Sequence, residues 1–217
     1  MYKKLLLVLL SIITIQAAKA QTEKGSQNLG LSFGVSTTNT NGRAFNNATN
    51  SLGDNLKIKL TSYSIVPEYN YFIADKLDIG VGLGYSYSRS KSYSGEAANN
   101  DQIYKGFFST ISLRKYFLFD NKIGIRTGPY LSYGKSKQSY EDSNNQYISS
   151  VNSDIYGGGL GLDFVYYPAK NIGLAAGLGK LTYFHQKDTG SSVGTSNTFN
   201  LSFVDNLALS VYYVFGK

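Results

Sequence analysis

Between Lys76 and Ser90 the chain reads KLDIGVGLGYSYSRS. Leu77, Ile79, Val81, Leu83, Tyr85 and Tyr87 occupy one set of alternate positions, and Asp78, Gly80, Gly82, Gly84, Ser86 and Ser88 occupy the other. A period of two is the signature of a β-strand, because successive side chains point to opposite faces. A soluble sandwich would carry Lys, Glu and Thr on its outer face. Here the polar face is glycine, serine and aspartate. Glycine weakens strands, so its repetition needs a cause. Crowding supplies one: the small face looks into a narrow closed tube where large side chains do not fit, and the apolar face looks out into lipid.

The alternation recurs. Leu29, Leu31, Phe33 and Val35 alternate with Gly30, Ser32, Gly34 and Ser36. Leu160, Leu162, Phe164 and Tyr166 alternate with Gly159, Gly161, Asp163 and Val165. The pattern predicts eight strands, over residues 28–38, 57–73, 77–93, 102–118, 123–140, 154–167, 172–187 and 197–215. Strand seven slips phase near Lys180, which predicts a bulge there. The connections 74–76, 119–122 and 168–171 are short, whereas 39–56, 94–101, 141–153 and 188–196 read as longer loops rich in Asn, Ser and Gly. Short turns at one end and long loops at the other mark outer-membrane barrels. The expected fold is therefore all-β: an eight-stranded antiparallel up-and-down transmembrane β-barrel.

Residues 1–20, MYKKLLLVLLSIITIQAAKA, have the three regions of a secretory signal peptide. Lys3 and Lys4 precede an apolar run, and Ala18-Lys19-Ala20 is a small-x-small cleavage site. Residues 21–217 then form one barrel domain. Loss of Lys3, Lys4 and Lys19 lowers the net charge from +7 to +4. Export argues against nucleic acid as a partner. A basic exported surface suits anionic lipid headgroups, although a charge this small also serves solubility alone. The absence of Cys removes disulfides, thiolate metal sites and Cys nucleophiles. No His/Asp/Glu cluster has metal-ligand spacing, and no cofactor is expected.

Outward aromatics gather at both strand ends. Tyr69, Tyr71, Phe117, Tyr166, Tyr213 and Phe215 fall near the short turns, and Tyr85, Tyr87, Phe107, Tyr133, Tyr183, Phe199 and Phe203 toward the long loops. Two aromatic girdles are expected where a barrel meets the membrane interfaces. Four inward positions are charged: Glu68, Arg114, Arg126 and Asp163. Counted along each strand from its short turn, they lie at similar depth, with Asp78 lower. Two acids and two Arg at one level in a narrow tube should pair, since unpaired charges there are costly. The pairs read either as polar filler or as a plug and gate. Neither admits a wide static pore, which takes roughly 16–18 strands. Lys57, Lys59, Arg89, Lys91, Lys105, Lys135, Lys137 and Lys187 fall toward the long-loop end. They read as a collar for lipopolysaccharide phosphates or as a solvated rim.

With signal peptide, strand count, loop asymmetry and the final strand LALSVYYVF in place, the chain resembles the small eight-stranded bacterial outer-membrane barrels, the family of the OmpA barrel domain and OmpX. The resemblance implies an outer-membrane location with both termini periplasmic. It also implies that Tyr213 and Phe215 belong to the aromatic-ended signal read by the barrel-insertion machinery. Gly216 and Lys217 after Phe215 depart from the pattern, which often ends on the aromatic. The expected role is structural or surface interaction, with outer-membrane lipid, lipopolysaccharide and an extracellular partner of the long loops as contacts. The competing role is a narrow channel for small solutes or apolar compounds.

An enzyme is not expected. His185, the sole histidine, lies in FHQKDTGSS, where Ser191 and Ser192 are loop residues and Asp188 is the one nearby acid. Nucleophilic catalysis needs its groups in mutual reach. The glycines of GVGLG and GGGLGLD are followed by no helix, so a phosphate-loop reading lacks its context. The barrel reading predicts that the refolded chain migrates differently before and after boiling in SDS gels. Identical mobility in both lanes, with solubility in the absence of detergent, would instead identify a secreted soluble β-barrel.

Overall fold

The computed structural model describes residues 21–46, 51–94, 97–142, 147–203 and 209–215. The expected signal peptide, Gly216 and Lys217 lie outside these. One antiparallel sheet contains β1 (Gln27–Asn46), β2 (Ser51–Ala74), β3 (Leu77–Ser94), β4 (Ala97–Phe119), β5 (Ile123–Asp142), β6 (Tyr147–Ala169), β7 (Ile172–Gly190), β8 (Gly194–Phe203) and β9 (Leu209–Phe215). Each strand from β1 to β7 pairs with its chain neighbour, and β9 pairs with both β7 and β1. The sheet thereby closes into an up-and-down barrel. β8 and β9 together occupy the eighth position of the wall.

The outward face is apolar at mid-height on all sides. Phe33, Leu83, Ile111, Leu131, Leu160 and Val211 are each half-exposed or more. Patches of this extent do not face water on soluble monomers, so the belt faces lipid. Above it, toward the long hairpins, Tyr63 stacks on Tyr87, Tyr85 packs on Phe107 and Tyr133 on Tyr156, with ring centroids 4.9–5.0 Å apart. Below it, Tyr213 stacks beside Phe215 at the turn end. These are the two girdles.

Inside, the expectation that large side chains do not fit is corrected. Phe72, Tyr116, Val165, Tyr167, Tyr212 and Val214 all point inward and pack into a buried core at the turn end. The glycines make this filling possible. A Cβ at Gly84 would lie 2.2 Å from the Phe108 ring, one at Gly30 2.3 Å from Tyr212, and one at Gly157 2.0 Å from Phe184. In each case the glycine stands directly opposite the aromatic on the neighbouring strand. Glycine on one strand is the space that an aromatic on the next one occupies.

The long loops are also corrected. β1 and β2 remain paired out to Asn46↔Ser51, β3 and β4 to Ser94↔Ala97, and β5 and β6 to Glu141↔Tyr147. Most of what reads as loop is a hairpin projecting beyond the membrane. Both its faces meet water, so no hydrophobic alternation betrays it. The bulge expected near Lys180 is present two residues earlier, where Asp163↔Gly177 gives way to Leu162↔Gly179 and Leu178 is left over.

The predicted final strand, 197–215, is split. β8 pairs with β7 from Gly179↔Phe203 upward, and β9 from Ala176↔Leu209 downward. Six steps of chain thus answer three on β7. Among the described residues β8 does not pair with β1, whose contact with β9 ends at Phe33↔Leu209. A lateral seam follows in the hairpin half of the wall. The inner-face residues Thr38 and Thr40 on β1 and Thr198 and Asn200 on β8 are exposed there.

At the other end, residues 21–26 fold beneath the barrel. Gln21, Thr22 and Ser26 are buried. The Gly25 N–H donates to the Phe72 carbonyl, the Lys76 N–H to that of Thr22, and the Gln21 side-chain amide to that of Ala169. The glycine–aromatic fit predicts that Gly84→Val destabilises the barrel by about 1–3 kcal/mol, the usual cost of overpacking. Gly84→Val/Phe108→Ala recovers most of that loss in urea unfolding from lipid vesicles, whereas independent sites would give additive losses.

Candidate functional site

Above the aromatic core, inward positions of seven strands bring polar groups to one level. Arg114 on β4 lies directly opposite Asp78 on β3, and Arg126 on β5 directly opposite Asp163 on β6. Opposed residues on one face of a sheet are in reach of each other. Arg114 donates from Nε to Asp78 Oδ1 and from Nη2 to Asp78 Oδ2, both at 3.0 Å, a two-pronged pair. Its Nη2 also reaches Asn70 Oδ1 at 2.5 Å, and its Nη1 lies 3.6 Å from Glu68 Oε2. Arg126 donates from Nε to Asp163 Oδ2 at 2.7 Å.

Two tyrosines join these pairs. Arg126 Nη2 donates to the Tyr212 hydroxyl at 2.7 Å, and that hydroxyl donates to Glu68 Oε2 at 3.0 Å. Arg126 Nη1 donates to the Tyr116 hydroxyl at 3.3 Å, which donates to Asp78 Oδ2 at 2.6 Å. The result is a closed circuit: Arg126, Tyr212, Glu68, Arg114, Asp78, Tyr116 and back to Arg126. The Arg126 guanidinium also sits 5.0 Å from the Tyr212 ring centroid. Ser32 donates to Glu68 Oε1 at 3.1 Å. A buried charge is tolerable only when paired and hydrogen-bonded, and the circuit meets that condition for both Arg.

Glu68, Arg114 and Arg126 of the expected lumen charges lie in this circuit, Asp163 is joined to it through Arg126, and Asp78 stands at the level of Arg114. It is fully buried and is the main partner of Arg114. Counting residues from each turn treats the turns as level, whereas the barrel is sheared. The register of β3 against β4 is not readable from the turns. The alternation does not mark Tyr116 and Tyr212 as ring members, because it gives the face of a side chain and not its partners. Gly30 stands directly opposite Tyr212, whereas Tyr116 stands opposite Arg126.

The basic residues form a strip above the upper girdle. Lys57, Lys59, Arg89, Lys91, Lys105, Lys135, Lys137 and Lys187 all continue the outward phase of their strands. Lys59 stands directly opposite Lys91, and Lys105 directly opposite Lys137. Arg89 is ion-paired to Asp101, with Lys91 3.7 Å from the same carboxylate, and Lys135 lies 3.6 Å from Asp154. Among the described residues Lys57, Lys59, Lys105 and Lys187 form no ion pair. Hydrogen bonds from Ser153 and then Gln186 hold the Asp188 carboxyl below the usual carboxylate range.

His185 bonds through Nδ1 to Asn197 Oδ1 at 2.9 Å, while Ser191 Oγ donates to the Ser150 carbonyl. The structure does not bring these two into one site. Tyr213 and Phe215 face outward at the end of β9, opposite Leu29 and Gln27. Among the described residues no group of three His, Cys, Asp or Glu side chains is placed to hold a metal ion.

No protein-family model matches the chain, and no curated protein matches it. Among solved structures it is similar to Ail, the attachment invasion locus protein of Yersinia pestis, with 15% identity, 88% of this chain and 99% of that one covered, and a TM-score of 0.41. It is similar to the outer membrane protein OprG of Pseudomonas aeruginosa, with 15% identity, coverages of 91% and 99%, and a TM-score of 0.46. A major outer membrane protein of Thermus thermophilus gives 15%, 89%, 100% and 0.46 for the same quantities. By its own closed sheet and lipid-facing belt, the chain is an eight-stranded transmembrane β-barrel.

The ring predicts an asymmetry between breaking a pair and removing it. Asp78→Asn removes the main partner of Arg114, leaves it Glu68 at 3.6 Å, and costs about 3–5 kcal/mol. Asp78→Leu/Arg114→Met removes both charges and recovers most of that loss. Equilibrium unfolding in lipid vesicles reads both values, and an equal loss in the two variants would show that the pair is not the stabilising element.

Proposed function

We propose that this chain is an integral outer-membrane β-barrel with a structural or surface-interaction role, and that the charge ring closes its lumen on the periplasmic side. The supporting observation is the basic strip directly above the upper aromatic girdle. Like charges placed opposite each other on neighbouring strands repel. Lys59 with Lys91 and Lys105 with Lys137 are two such pairs on one lipid-adjacent surface. An anion lying between the members of a pair converts repulsion into attraction. Phosphates of lipopolysaccharide in the outer leaflet stand at that height, and basic residues near a membrane surface attract anionic headgroups. The projecting hairpins then present polar edges to an extracellular partner. The short turns and both ends of the barrel domain face the periplasm, with Tyr213 and Phe215 read by the insertion machinery.

A second reading, a narrow channel, is favoured by the space that remains above the ring. Two experiments separate the roles. Lys59→Gln/Lys105→Gln/Lys137→Gln in the refolded barrel weakens lipopolysaccharide binding about tenfold or more at physiological salt, and the difference narrows as salt rises. Unchanged binding removes the collar. In planar bilayers the wild type is silent, and Glu68→Ala, which opens the circuit, conducts. Steady openings of the wild type favour the channel instead.

A further inference from the structure

The ring closes the lumen on one side only. Above it, toward the hairpins, a cavity of about 300 Å³ remains inside the barrel, bounded by Phe108 and Tyr130 as well as by the ring. The ring residues do not present themselves to it equally. Asp163 and Glu68 are 22% and 19% exposed, while Arg126 and Arg114 behind them are 5% and 11% exposed. The guanidinium groups are engaged by Asp78, Asn70, Asp163, Tyr116 and Tyr212. Asp163 is engaged through Oδ2, and among the described residues its Oδ1 accepts no hydrogen bond. Asn70, 1% exposed and lining the cavity, accepts from Arg114 through Oδ1 and has no partner for Nδ2 among the described residues.

The charges are also unbalanced. Glu68, Asp78 and Asp163 oppose only Arg114 and Arg126 in the ring. The remaining cation that lines the cavity is Lys180 on β7, which forms no ion pair among the described residues. It stands opposite Gly161, which is two residues along β6 from Asp163. Their strand positions are therefore about 7 Å apart at roughly 3.3 Å per residue. On its other side Lys180 pairs with Ser202 of β8. A carboxylate oxygen and an ammonium thus line one cavity, unpaired with each other.

We infer that this cavity is a binding site for a small zwitterion of the amino-acid type. Its ammonium group lies on Asp163 Oδ1 and beside Glu68, and its carboxylate lies on Lys180. A zwitterion fits where a singly charged solute does not, because it meets both the free oxygen of Asp163 and the ammonium of Lys180 and adds no net charge to the cavity. The site is independent of the basic strip and of whether the ring conducts.

The test uses 5-aminopentanoate, with pentanoate and pentylammonium as controls, titrated into the refolded mature barrel and followed by NMR of isotope-labelled backbone amides. Saturable shifts of cavity residues are expected with the zwitterion. Each control binds about tenfold more weakly or worse, as the loss of one charge-assisted contact demands. Lys180→Met, which leaves the ring intact and keeps the heat-dependent gel shift of a folded barrel, weakens the zwitterion by a similar factor. The inference is overturned by any of three results: no saturable shift in the wild type, equal binding of pentanoate, or unchanged binding by folded Lys180→Met.

Discussion

A backbone N–H or C=O left unpaired in hydrocarbon costs several kcal/mol, so a sheet that crosses lipid has no permissible edge. Closure of β1 onto β9 follows from that constraint, and so does the need to fill what closure encloses. An eight-stranded tube is just wide enough for side chains. Here the filling is made by pairing a large residue on one strand with a glycine on the next. Tyr212 over Gly30 and Phe108 over Gly84 are the clearest cases. The outer face solves the opposite problem, presenting apolar side chains to lipid instead of burying them.

Closure also explains why the lumen charges form a circuit rather than isolated pairs. Water is scarce at that level, and a guanidinium has five donors to satisfy. Asp78 and Asp163 meet only part of that need, and the Tyr116 and Tyr212 hydroxyls meet more of it. Each tyrosine passes the interaction on to a carboxylate. The tyrosines that carry polar tips into the ring also contribute their rings to the apolar core beneath. Packing and electrostatics at the turn end are therefore one structure.

The hairpin half obeys different rules. Its strands extend into water, where unpaired backbone is hydrated and an incomplete wall is tolerable. The bulge at Leu178 and the split between β8 and β9 fall on adjacent strands, and the seam lies beside them. The charge ring lies at the turn end, and the seam and the cavity lie on its hairpin side.

Strand number, the lipid-facing phase, the girdles and the identity of four ring charges were legible in the sequence, because each depends on the period-two alternation alone. The depth of Asp78 was not, because shear is set by pairing across the whole wall and not by distance from a turn. The long hairpins were not, because strands wet on both faces carry no alternation. The roles of Tyr116 and Tyr212 and the pairing of glycine with aromatic belong to neighbouring strands far apart in the chain. Sequence by itself determined which way each side chain points. Only the tertiary structure decided which side chains meet, because register across a closed, tilted barrel is a property of all its strands together.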